Sequence, residues 1–138
     1  MIITRCLVFA IAIGAAACRE NVETPTSATT TEPTTILFSG TLQPRSSRFY
    51  SYSLTVAGPV TAMLASLERN GLPVTNALEL GLGIPAGTGC AVSAAATTTT
   101  ALIPQLRQDA SIGTYCVRIA DMDGLPAAMN FTIRVIHP

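Results

Sequence analysis

From Ile36 onward the polarity of the chain alternates with a period of two. Ile36, Phe38 and Leu42 fall on one parity, Ser39 and Thr41 on the other. Tyr50, Tyr52, Leu54 and Val56 alternate with Phe49, Ser51, Ser53 and Thr55, and Leu78, Leu80, Leu82 and Ile84 alternate with Glu79, Gly81 and Gly83. Tyr115, Val117 and Ile119 alternate with Cys116, Arg118 and Ala120; Met129, Phe131, Ile133 and Val135 alternate with Asn130, Thr132 and Arg134. Successive strand residues point to opposite faces, so each segment predicts a strand with one buried face. Residues 60–67 (VTAMLASL) are nearly all apolar and fit a buried strand or a short helix. Gly58-Pro59 before them and Asn70-Gly71 after them favour a strand between two turns.

Further punctuation comes at Gly40 and Pro44, at Pro85 with Gly87 and Gly89, at Gly113 and at Asp123-Gly124. Turns roughly ten residues apart predict an all-β fold, an antiparallel sandwich. Residues 94–109 (AAATTTTALIPQLRQD) break the alternation and read as a long connection with a short strand near 101–103.

The first 35 residues read differently. One Arg at position 5, an apolar run at 6–13 (CLVFAIAI) and small residues at 14–17 form the three-part layout of a secretory signal, 1–17. The run is far shorter than the roughly 20 residues a membrane-spanning helix needs. Ala15-x-Ala17 fits the ordinary small-residue cleavage rule, which would leave Cys18 as a plain mature N-terminus. Gly14-Ala15-Ala16-Ala17-Cys18, cut at the same bond, resembles a bacterial lipobox, with Ala15 where that motif prefers Leu. Cysteine parity agrees: Cys6 leaves with the signal, Cys90 and Cys116 can pair as a disulfide, and Cys18 remains for lipid. By the same resemblance, Arg19 after the cysteine implies an exported chain held at the outer membrane or in the periplasm. Residues 24–35 (TPTSATTTEPTT) hold no large apolar side chain and cannot offset their own ordering entropy. Residues 18–35 are therefore read as a lipidated cysteine plus a disordered linker, and 36–138 as one β-sandwich domain, enough for a modest core.

Composition narrows the chemistry. Formal net charge is zero and charged residues make up 12 % of the chain, so nothing steers it toward nucleic acid. All basic residues are Arg, which excludes a Walker lysine or a Schiff-base lysine. The sole imidazole, His137, stands next to last, where chain ends fray, and no G-x-S-x-G or G-x-G-x-x-G occurs. Carboxylates for a hydrolytic pair would have to come from Glu68, Glu79, Asp109, Asp121 and Asp123, with Glu79 read as solvated. Asp121-x-Asp123-Gly124 offers weak calcium candidates, although Asp-Gly is first of all turn chemistry. No cofactor is implied.

Candidate contacts are few. Phe49 is the one aromatic on the polar parity of its strand, and Arg118 and Arg134 share the outward parity on strands expected to be neighbours. Tyr50, Tyr52 and Tyr115 fall on core parities, and Trp, the usual sugar platform, is absent. Cys90 and Cys116 close a loop whose constraint is worth about 3 kcal/mol.

Phe38-Ser39-Gly40-x-Leu42, then Arg48 to Leu54 (RFYSYSL), then Gly58-Pro59-Val60 follow one another in an order similar to the bacterial pre-peptidase C-terminal domain. Gly113-Thr114-Tyr115-Cys116-Val117-Arg118-Ile119 resembles that family's late G-T-Y-x-L-x-V strand, and 130–135 its last strand. The resemblance implies a jelly-roll-like sandwich serving as an accessory module of exported proteins. Where members often carry Asp before the Y-x-F strand, Arg45-Ser46-Ser47-Arg48 stands here. The sequence thus points to a non-enzymatic, lipid-anchored interaction domain of the bacterial cell envelope, meeting a protein or glycan partner. Its alternatives are a purely structural envelope lipoprotein and a hydrolase with a site no motif reveals.

Overall fold

The computed structural model describes residues 31–138. The signal at 1–17, Cys18 and most of the linker therefore lie outside the described residues. The rest forms β1 (Thr34–Leu42), β2 (Ser47–Leu54), β3 (Gly58–Arg69), β4 (Leu72–Pro73), β5 (Leu78–Ala86), β6 (Gly89–Thr98), β7 (Leu106–Ala110), β8 (Gly113–Ala120) and β9 (Met129–His137).

Two antiparallel sheets result. Sheet A runs β1-β9-β3, with β4 and β7 pairing different stretches of the far edge of β3; sheet B runs β2-β8-β5-β6. Apart from the two-residue β4, the pairs nest as β1·β9, β2·β8, β3·β7 and β5·β6. This is one long hairpin rolled over on itself, the jelly-roll arrangement of an all-β sandwich.

The alternation becomes the core. Leu42, Tyr52, Leu54, Val60, Leu64, Leu67, Leu80, Val117, Ile119, Phe131, Ile133 and Val135 meet between the sheets, each almost fully buried. Each such side chain contributes about 1.5–3 kcal/mol through apolar burial. At the open edge formed by β1 and β2, Phe38 stacks on Tyr50 with ring centroids 5.0 Å apart, and the Tyr50 hydroxyl donates to the Ser39 carbonyl at 3.1 Å.

Residues 60–67 are strand, and a bulge explains their unbroken apolar run. Leu64 pairs with Ile133 and Ser66 with Thr132, which leaves Ala65 without a partner and switches the parity that faces the core. The Asn70-Gly71 turn has positive φ at both residues (54° and 77°), as a tight two-residue hairpin requires.

Three expectations are corrected. β1 starts at Thr34, so Thr34 and Thr35 pair with His137 and Ile136 rather than belonging to the linker. Residues 94–98 continue β6, residues 101–103 are not strand, and the next strand is β7 at Leu106. Here Ala94, Ala96 and Thr98 oppose Leu82, Leu80 and Leu78, small side chains against large ones, and this hides the alternation. His137 does not fray: it ends β9, is 7 % exposed and lies face to face with Tyr52 at 6.0 Å.

Candidate functional site: the outer faces of the two sheets

On the outer face of sheet A, three adjacent strands present short polar side chains. Ser39 and Thr41 come from β1, Asn130 and Thr132 from the central β9, and Ser66 and Glu68 from β3 beyond its bulge. A bulged strand bends, and here the bend accompanies a shallow open groove of about 370 Å³ lined by these residues. Ser39 and Thr132 share a hydroxyl–hydroxyl hydrogen bond of 2.9 Å, and Thr41 donates to the Asn130 side-chain oxygen at 2.8 Å. Among the described residues, Glu68 is the only ionisable side chain in the lining. The groove thus offers neutral donors and acceptors with a single carboxylate. None of these residues was singled out from the sequence as a contact; each sits on the polar parity of its strand, which distinguishes a solvent face but not a concave one.

The outer face of sheet B is covered over β5 and Cys116 by the chain itself and stays open along β2, where Phe49, Ser51 and Ser53 are exposed. Between Leu82 and Gly83 the β5·β6 register shifts, leaving Ser93 as the extra residue. There the hairpin folds onto its own sheet. A Cβ at Gly83 would collide with the Ala91 carbonyl and stand 2.8 Å from the Val92 Cα, so only glycine admits the backbone above it. The fold-over explains the disulfide. β5 separates β6 from β8, and strands two apart lie about 9.5 Å from each other. Yet the Cα atoms of Cys90 and Cys116 are 5.9 Å apart and bonded through their sulfurs. The pairing expected from cysteine parity is present, on the outer face rather than in the main core, with Cys116 fully buried.

Arg118 lies on this face. It pairs in register with Phe49 on one side and Gly81 on the other, and its guanidinium is ion-paired with Glu79. The two side chains are 32 % and 21 % exposed, so Glu79 is a partly covered ion-pair member and not the solvated residue expected. Phe49 is 39 % exposed on the same face. Arg134 is elsewhere: β8 and β9 belong to different sheets, because the connection 121–128 crosses the sandwich, so Arg118 and Arg134 face opposite sides. The expected joint arginine patch does not exist. Arg134 instead shares the outward parity of β9 with the groove residues Asn130 and Thr132.

The acidic turn has a structural assignment. Asp121 Oδ1 accepts from the Gly124 and Leu125 amides at 2.8 and 3.1 Å, and Oδ2 accepts from the Arg45 amide at 2.8 Å. Burial pushes its pKa up, but these backbone donors and that of Asp123 outweigh burial and hold it below the ordinary carboxylate value. Asp123 is gripped by the Arg45 guanidinium, with Nε donating at 2.7 Å. Both carboxylates therefore face N–H donors. Among the described residues no three His, Cys, Asp or Glu side chains cluster where a metal ion would need them. His137 Nδ1 lies 2.7 Å from the Pro138 carbonyl, and among the described residues no carboxylate or hydroxyl side chain hydrogen-bonds to the ring. Burial, with the Tyr115 phenol adding to it, pushes the neighbouring Tyr52 hydroxyl up to about 12, so it stays protonated.

No family model and no curated protein matches the chain. Among solved structures it is similar to a periplasmic lysozyme inhibitor of g-type lysozyme, PliG, from Salmonella Typhimurium. Identity is 12 % over 75 % of this chain and 87 % of that one, with a TM-score of 0.42. The PliG of Aeromonas hydrophila is similar at 10 % identity over 75 % and 86 %, with a TM-score of 0.43. At these scores the likeness carries no argument about what this chain binds.

Proposed function

We propose that this chain is a lipid-anchored, non-catalytic binding module of the bacterial cell envelope, and that its working surface is the outer face of sheet A. The observation that carries the reading is the groove across β1, β9 and β3. Its hydroxyls and amide suit a neutral, hydrogen-bonding partner such as a glycan or a polar protein loop. Its one carboxylate, Glu68, has neither a second carboxylate nor an imidazole beside it in the lining, which favours binding over hydrolysis. The lipobox-like segment ending at Cys18 supports the anchor, and the resemblance to the pre-peptidase C-terminal domain supports an accessory role. The hydrogen bonds that the groove residues make to one another are what a passive structural surface would also show, and they favour the second reading, an envelope lipoprotein without a ligand.

Crosslinking in intact cells followed by pull-down separates the two. Thr132→Arg fills the groove, whereas Ser53→Arg places the same side chain on the outer face of sheet B. A partner recovered with the native chain and with Ser53→Arg but lost with Thr132→Arg supports the binding module. Recovery of the same set from all three, or of nothing reproducible, supports the passive reading.

A further inference from the structure

Among the described residues no large apolar side chains are more exposed than Leu102, at 94 %, and Ile103, at 72 %, and the two are consecutive. The other exposed aliphatic residues, such as Leu37, Leu72, Ile84 and Ile112, stand singly along the chain, as is ordinary on a protein surface. Leu102 and Ile103 form the tip of the β6–β7 connection, residues 99–105 (TTALIPQ), which holds no charged residue. The neck of this loop is fastened to β3. The Ala101 amide donates to the Leu64 carbonyl at 3.1 Å, and the Gln105 amide to the Ala62 carbonyl at 3.0 Å. Gln105 Oε1 accepts from the Leu64 amide at 2.8 Å, and Gln105 Nε2 donates to the Thr99 carbonyl, drawing the two arms together. Ile103 precedes Pro104, which narrows the backbone freedom of both residues. The tip is therefore held out from the sheet edge with much of its ordering entropy already lost, the condition that favours binding through it.

The loop and the groove meet on one strand. Leu64, where the neck attaches, is separated from the groove residue Ser66 only by the bulged Ala65. At about 3.3 Å per residue and 4.8 Å between strands, the neck lies within roughly 10 Å of Ser66. An ordinary protein interface covers about 800 Å² of each partner, so one laid over the groove and β3 takes in the tip.

We propose that the Leu102–Ile103 tip is the apolar anchor of the binding surface, and that the partner is a protein with a narrow apolar pocket that receives it. The inference rests on the binding-module reading given above and narrows its partner to a protein. A glycan would find no aromatic ring at the tip to stack on. A second copy offers a groove of hydroxyls, an amide and a carboxylate, which does not suit two aliphatic side chains. A lipid surface would meet more than the tip: exposed Thr97 and Thr99 lead into it, and exposed Arg107 and Asp109 follow on β7. Those polar groups would have to leave water along with it, at a cost. A pocket takes the tip alone and leaves them at a wet rim, the common arrangement of an apolar centre with a polar surround.

The test places a photo-crosslinking residue at Leu102 of the full chain in intact cells, and separately at Thr41 on the groove. The captured protein is identified from its peptides, purified and titrated against the processed chain. The expected result is the same protein from both positions, with Kd raised about tenfold or more by Leu102→Asp/Ile103→Asp. Leu72→Asp, at an exposed aliphatic residue on another turn, should leave Kd unchanged. All three side chains are more than two-thirds exposed, so the variants keep the fold and a loss of binding reads the contact. An adduct from position 41 with none from 102, or a Kd that the double variant leaves unchanged, overturns the anchor and leaves the groove reading standing. A protein from 102 alone whose Kd the double variant raises upholds the anchor and moves the working surface off the groove. A glycan, a lipid or a second copy captured at 102 overturns the proposal, and no adduct from either position overturns both readings.

Discussion

On sheet B, the face turned from the core carries Gly81 and Gly83 on β5, and the chain folds over them, bringing Val92 against Gly81 and Cys90 to Cys116. On sheet A, the corresponding positions of β9, β3 and β1 carry Asn130, Thr132, Ser66, Thr41 and Ser39, and the face stays open. Two sheets of the same sandwich thus have unlike outer faces. Glycine on the outward parity lets the backbone come down and seal; short hydroxyl and amide side chains hold it off and leave hydrogen-bonding groups in water. The covered stretch ties the β5–β6 hairpin to β8 through the disulfide, and the open face leaves its polar side chains to solvent.

The strongest way to break this contrast is Gly83→Ala. The added Cβ meets the Ala91 carbonyl, so the fold-over and the disulfide are lost together; a cost of about 4 kcal/mol is expected in denaturant melts. Cys90→Ala/Cys116→Ala removes the staple and leaves the glycine, and should cost about 3 kcal/mol for a sequence separation of 26. Asp121→Asn turns an amide N–H toward the Arg45 amide and should cost about 2 kcal/mol. Because the Asp121 pKa is depressed in the folded chain, its stabilisation is present above the ordinary carboxylate value. It is lost as pH falls through the folded value, so an acid titration of stability should be flatter in the Asn variant. Arg118→Met should cost about 1 kcal/mol, with a double-mutant cycle against Glu79→Gln recovering most of it as coupling. The smallest effect on stability belongs to the open face: Thr132→Arg should leave the melt within about 0.5 kcal/mol while abolishing binding.

The alternation marked out β2, β5, β8 and β9 and the inward set Leu80, Val117, Ile119, Phe131 and Ile133, because burial on one side imposes a period of two. It failed where a bulge changes parity, at Ala65, and where alanine and threonine stand in for large residues, as in β6. Cys90 and Cys116 were legible as a pair by counting, but the fold-over that joins them depends on Gly83 lying beneath Ala91, a contact between strands. The groove was legible only as polar parity, since its concavity arises from three strands that are distant in sequence. Arg118 and Arg134 look equivalent along the chain and are separated only because β8 and β9 enter different sheets.

The central claim is that the open face of sheet A is where a partner binds. Placing a photo-crosslinking residue at Thr41, on the rim of the groove, and separately at Ser53, on the outer face of sheet B, tests it in intact cells. The account predicts a discrete, reproducible adduct from position 41 that Thr132→Arg eliminates, and none from position 53. Equal adducts from both positions, or none from position 41, would contradict it.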